Sequence, residues 1–177
     1  MLTILEVERF NPKIHLADLQ SFSCGEEEWS LEVSDWIKGR HGGVLDDIRE
    51  HGTEVWLYGN QDVGLIGFGS LGGMKWAYPG KNSKKQPISI IPNLAIQKSF
   101  HGLPVGDRNN RYSVQILDHL RFEAAKHAER APAIGLYVHP GNKKALAFYT
   151  SRGFVSWSSR WTNPANELAY PGMLLNL

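Results

Sequence analysis

Cysteine is almost missing from this chain of 177 residues: Cys24 stands alone, so no internal disulfide can staple the fold. No apolar run approaches the roughly 18 residues that a membrane span requires. Charge of one sign is lacking too, with 19 basic against 18 acidic residues and a formal net charge of +1. That balance excludes a large positive field holding a nucleic-acid backbone by counterion release, and leaves only a local basic cluster at Lys81, Lys84 and Lys85. The seven histidines are scattered, with no H-x-x-x-H pair and no Cys/His cluster at zinc spacing, so no metal is expected. Met1 to Phe10 carries Glu6 and Glu8 where a secretion signal would be basic and then apolar, and the expected location is cytoplasmic. Internal repeats and low-complexity segments are absent from the sequence.

What is present suits one domain spanning 1–177: hydrophobic residues make up 42% and charged residues 21%, enough to bury a core. Leu2 to Phe10 alternates apolar and acidic residues like a half-buried strand and stops at Asn11-Pro12. Trp29, Val33, Trp36 and Ile37 recur at helical spacing between acidic Glu26 to Glu28 and Gly39. Glu54 to Tyr58 and Val63 to Leu71 flank Gly59-Asn60-Gln61-Asp62 and predict an antiparallel hairpin. Gly72 to Gln86 lacks periodicity and reads as an exposed loop. Ile88 to Ile96 is a fourth strand broken by Pro92, which cannot donate to a ladder. A helix from Ser113 to about Arg130 with a serine cap, a strand Gly135 to His139, a helix Lys143 to Ser151 and strands Phe154 to Trp161 and Met173 to Leu177 complete the order. The class is α+β (an α/β mixed sheet flanked by helices), with a helical crossover joining Ile88–Ile96 to a parallel Gly135–His139.

Gln97 to Ser113 has no regular pattern, contains Gly102 and Gly106 and runs into a helix N-terminus. Such a loop presents unpaired N–H groups and the positive end of the helix dipole, a setting for phosphate, and Arg108 and Arg111 add charge there. Gly67-Phe-Gly-Ser-Leu-Gly72 matches G-x-G-x-x-G, yet neither a helix nor an acidic residue about 20 positions on follows, so close approach of a ligand or another backbone explains its glycines better than a dinucleotide. Cys24, beside Gly25 and three glutamates, suits a buried structural thiol, and the tryptophans suit core or rim positions.

After the Gly135 strand comes Asn142-Lys-Lys-Ala145-Leu-Ala-Phe148-Tyr149-Thr-Ser-Arg-Gly153-Phe154, and Pro92-Asn-Leu94-Ala95-Ile96 precedes the irregular loop. Together these resemble the GNAT acetyltransferase family in motif detail over Ile88 to Phe154 and in element order over most of the chain. The resemblance implies a central mixed sheet with splayed fourth and fifth strands, acetyl-CoA between them, and pantetheine pairing with backbone at Leu94, Ala95 and Ile96. Its diphosphate would rest on His101, Gly102, Val105, Gly106, Arg108, Arg111, Tyr112 and Ser113. The family pattern Q/R-x-x-G-x-G/A fits here in two incomplete registers, His101 to Gly106 and Arg108 to Ser113. Asn142, Ala145 and Phe148 would complete the cofactor site, with Asn142 holding the pantetheine or the chain bend. Tyr149 would protonate the departing thiolate, and Glu54, His139 or a water would take the proton of the amine. The implied reaction is direct transfer of acetyl from acetyl-CoA to an amine acceptor: a small amine, a peptide N-terminus or an aminoacyl-tRNA. Phe22-Ser-Cys-Gly25 and the ending Tyr170 to Leu177 resemble the branch that includes acetyltransferase toxins acting on aminoacyl-tRNA. A homodimer, common in this fold, and a non-catalytic CoA-binding or protein-interaction module are the other expectations.

Overall fold

A computed structural model describes residues 5–77, 85–103, 111–164 and 166–177. In chain order the elements are β1 (Glu6–Arg9), α1 (Pro12–His15), α2 (Glu28–Ile37), α3 (Gly43–His51), β2 (Glu54–Asn60), β3 (Gly64–Ala77), β4 (Lys85–Ile90), β5 (Leu94–Ile96), α4 (Tyr112–Ala125), β6 (Ala133–Tyr137), α5 (Lys143–Ser151), β7 (Val155–Thr162) and β8 (Ala169–Asn176), with 3-10 turns at Asp18–Ser21 and Lys98–Phe100. The chain forms two compact units, Met1–Gly72 with Asn93–Leu120 and Gly73–Pro92 with Arg121–Leu177.

In the first unit β1, β2 and β3 pair antiparallel in sequence order, and β5 adds antiparallel to β3. Its core gathers Leu19, Phe22, Ile37, Val44, Val55 and Phe68, with the Phe22 ring edge-on to Phe68 at 5.3 Å and Trp36 stacked on Phe68 at 5.8 Å. Helices α2 and α3 meet at a point where only glycine fits: a Cβ on Gly43 would lie 2.6 Å from the Trp36 carbonyl oxygen. The Trp36 indole N–H donates to Asp47 at 2.7 Å and fixes the pair.

The second unit continues from the far end of β3 through β4, β6, β8 and β7. Strands β4 and β6 run parallel, at Ser89 opposite Ile134 and Ile90 opposite Gly135, while β6–β8 and β7–β8 are antiparallel. Ile88, Ala133, Trp157 and Leu174 form its core. The α+β class and the mixed sheet are thus as expected.

Three expectations need correction. The exposed loop drawn from Gly72 to Gln86 is strand as far as Ala77, and β4 begins already at Lys85; Lys81 and Lys84 lie outside the described residues. Ser113 is no cap, because α4 starts at Tyr112 and the Arg111 carbonyl accepts the first helical bonds, from Val114 at 2.9 Å and Gln115 at 3.1 Å. Helix α3 fills a stretch to which the sequence reading gave no element.

Candidate active site

The segment read as one strand from Ile88 to Ile96 is broken at Pro92, where the ladder to β6 stops. Before it, the ladder to β6 ends with the Ile91 N–H donating to the Gly135 carbonyl at 2.9 Å. After it, β5 belongs to β3: the Ser70 N–H donates to Asn93 O at 2.9 Å and the Gln97 N–H to Ile66 O at 2.8 Å. The Ser70 hydroxyl holds the break, donating to Asn93 O at 3.0 Å and accepting the Asn93 N–H at 2.9 Å. Proline has no N–H to offer a ladder, so the break falls where the sequence permits it.

Antiparallel pairing alternates the direction of backbone groups. With Asn93, Ala95 and Gln97 turned to β3, the N–H and C=O groups of Leu94 and Ile96 point to the opposite edge. There the His101 Nε2 lies 2.9 Å from the Ile96 carbonyl oxygen, so the imidazole donates to that oxygen and caps it. Close approach of β5 to β3 depends on Gly67, where a Cβ would sit 2.4 Å from the Ala95 carbonyl oxygen. Gly69 does the same for α4, with Leu120 Cδ1 at 2.9 Å. Gly67 and Gly69 therefore serve the close approach of a neighbouring strand and helix.

At the mouth of α4, Tyr112 and Ser113 have N–H groups pointing out of the first turn, where the dipole favours an anion. Phe100 packs edge-on against Tyr112 at 5.9 Å and draws the two ends of the irregular loop together. Gly102, at φ +71, takes a left-handed turn, and Arg111 is exposed. Val105, Gly106 and Arg108 lie outside the described residues. The Phe22-Ser-Cys-Gly25 stretch reaches the same loop: the Lys98 N–H donates to Ser23 O at 2.9 Å, and the Lys98 ammonium pairs with Glu26 at 2.5 Å. Cys24 is buried with its thiol bonded to Ser30 O at 3.2 Å, and burial pushes it above the ordinary thiol value, so it is not a nucleophile.

The string from Asn142 to Phe154 has a physical task at nearly every fixed position. The Asn142 side chain accepts the Ala145 N–H at 3.0 Å and caps α5, so its carbonyl serves the chain bend. Phe148, Tyr149 and Phe154 stack edge-on in succession, at 5.1 Å and 5.5 Å. Gly153 closes the helix at φ +89, and the Phe154 N–H then returns to the Tyr149 carbonyl at 3.1 Å. Tyr149 is 8% exposed, and burial pushes its phenol well above the usual tyrosine value. A phenol so held keeps its proton at neutral pH.

Sequence reasoning did not find the network after β7, where the Tyr170 hydroxyl accepts from the Asn163 amide at 3.1 Å and the Asn166 amide at 3.2 Å. Tyr170 in turn packs edge-on to His139 at 5.1 Å. Asparagines this far from the motif carry no periodic signal, and their convergence on one hydroxyl appears only in the fold. No group of three or more metal-ligating side chains occurs among the described residues, and no helix among them is long and apolar enough to cross a membrane.

Neither a family model nor a curated protein matches the sequence. Solved structures do match, over nearly the full length. A tyrosine-to-phenylalanine variant of the toxin AtaT, bound to the C-terminus of the antitoxin AtaR and acetyl-CoA, superposes with a TM-score of 0.67 at 19% identity, covering 98% of this chain and 93% of that one. AtaT complexed with acetyl-methionyl-tRNAfMet gives 0.62 at 19% identity, over 98% and 95%. The KacTA–DNA complex gives 0.64 at 19% identity, over 98% and 93%. At such identities the likeness is one of fold: the chain has the GNAT-like mixed sheet flanked by helices that these structures share.

Proposed function

We propose that the chain, working as one acetyltransferase domain, moves the acetyl group of acetyl-CoA to a primary amine by direct attack. The observation that carries this reading is Tyr149: a buried phenol that keeps its proton, on a helix capped by Asn142, in a fold whose solved examples include one with acetyl-CoA bound. In this reading the outward backbone groups of Leu94 and Ile96 pair with pantetheine. The N–H groups of Tyr112 and Ser113, with Arg111 and the loop residues His101, Gly102, Val105, Gly106 and Arg108, take the diphosphate. Ala95, Ala145 and Phe148 line the donor's path. When bound, acetyl-CoA supplies the activated acyl carbon and the thiolate leaving group.

Aminoacyl-tRNA is the first acceptor to test, because AtaT was solved with acetyl-methionyl-tRNAfMet. The near-neutral net charge confines any tRNA contact to local basic groups. Calorimetric titration with acetyl-CoA, followed by assay of free thiol against aminoacyl-tRNA and a panel of small amines and peptides, decides the matter. Binding with amine-dependent thiol release is the expected outcome. Binding without release to any acceptor would favour a non-catalytic module, and no binding would remove both readings.

A further inference from the structure

His139, at the end of β6, and Glu54, at the start of β2, are the two side chains the sequence offers as a base for the acceptor amine. In the structure the His139 Nδ1 accepts the Gly141 N–H at 3.0 Å. A backbone N–H can only donate, so Nδ1 is unprotonated and the neutral ring carries its proton on Nε2. The single lone pair of the neutral imidazole is therefore already engaged. Glu54 is held in an ion pair with Arg9 across β1 and β2.

The same residue fastens the turn into α5 twice. Besides the ring bond to Gly141, the His139 carbonyl accepts the Asn142 N–H at 2.9 Å. Asn142 then caps α5 through Ala145 at 3.0 Å, and the Leu146 N–H reaches the Asn142 carbonyl at 3.1 Å. Tyr149 stands two helical turns further on. The imidazole plane is fixed in its turn by the Tyr170 ring at 5.1 Å and 74°, and the Tyr170 hydroxyl is anchored by the amides of Asn163 and Asn166.

We infer that His139 is a positioning residue for Tyr149, acting through the turn it ties to Gly141 and Asn142, and not the base that receives the proton of the amine. This rests on the acetyltransferase reading for the step it serves. In that step the amine nitrogen bonds to the acyl carbon and the carbon–sulfur bond breaks. The Tyr149 hydroxyl proton passes to the sulfur, and the proton of the attacking nitrogen passes to water.

Asparagine separates the two roles, because its side-chain oxygen can accept the N–H two residues on just as Nδ1 does, while having no basicity. His139→Asn should keep kcat within about fivefold, whereas His139→Gln and His139→Ala should lower kcat by about tenfold or more with little change in KM for acetyl-CoA, the mark of a displaced acid. Equal loss in His139→Asn and His139→Gln would overturn the inference, as would full activity in all three. Wild-type protein with 15N-labelled histidine rings gives a readout that needs neither folding of the variants nor turnover: the proton is expected on Nε2, and a proton on Nδ1 would overturn the inference. Absence of transfer in the wild type would count against the acetyltransferase reading, and the ring measurement would still judge His139.

Discussion

Tyr149 is buried on helix α5, with 8% of its surface exposed. Its raised phenol has a consequence for stability that needs no substrate. Below the ordinary phenol value of about 10, folded and unfolded chains both keep the proton and Tyr149 adds no pH dependence. Above it the unfolded chain loses that proton while the folded chain retains it, so stability falls as pH rises towards the higher folded value. Urea denaturation of wild type and Tyr149→Phe at about pH 9 and about pH 11 should show a steeper alkaline loss in the wild type. Parallel loss in both would place the phenol in water. Glycines provide a second test at this scale. Gly67→Ala sets a methyl group 2.4 Å from the Ala95 carbonyl oxygen and should cost about 1–3 kcal/mol while weakening acetyl-CoA binding by loosening β5. Gly73→Ala meets nothing within 4 Å and should leave both denaturation midpoint and binding near wild type.

At the scale of elements, α5 shows how far a local string can be read. Asn142 as cap, Gly153 as the left-handed stop and the aromatic succession between them act within one turn or two, so their spacing in the sequence carries their geometry. Asn142→Ala should therefore cost about 1 kcal/mol in urea denaturation, with Asn142→Asp recovering most of it through the same oxygen. The break at Pro92 was equally legible, since proline forbids the ladder bond wherever the strand is placed. Helix α3 was not, because Val44, Leu45 and Ile48 give an apolar face of three residues behind two glycines with positive φ, a short pattern that turn signals mask. Ser113 failed as a cap for a related reason: cap preference identifies residue types, and only the backbone bonds to Arg111 fix which residue starts the helix. The length of β3 was hidden too, since Gly72, Gly73 and Lys75 imitate a loop while their backbone pairs as strand.

For the molecule as a whole, the order of elements was legible because hydrophobic period and punctuation act along the chain, and the mixed sheet followed from it. What joins distant residues was not: His101 on the Ile96 carbonyl, Phe100 on Tyr112 and two asparagines on Tyr170 depend on the folded path. The chemistry claimed here depends on Tyr149 acting as acid in a chain that binds acetyl-CoA, and one measurement tests that directly. Wild type and Tyr149→Phe are titrated with acetyl-CoA and then followed for amine-dependent thiol release. Equal acetyl-CoA affinity within a few-fold and turnover lower by about 10²–10⁴ in the variant are expected of that role. Undiminished turnover in Tyr149→Phe would contradict it.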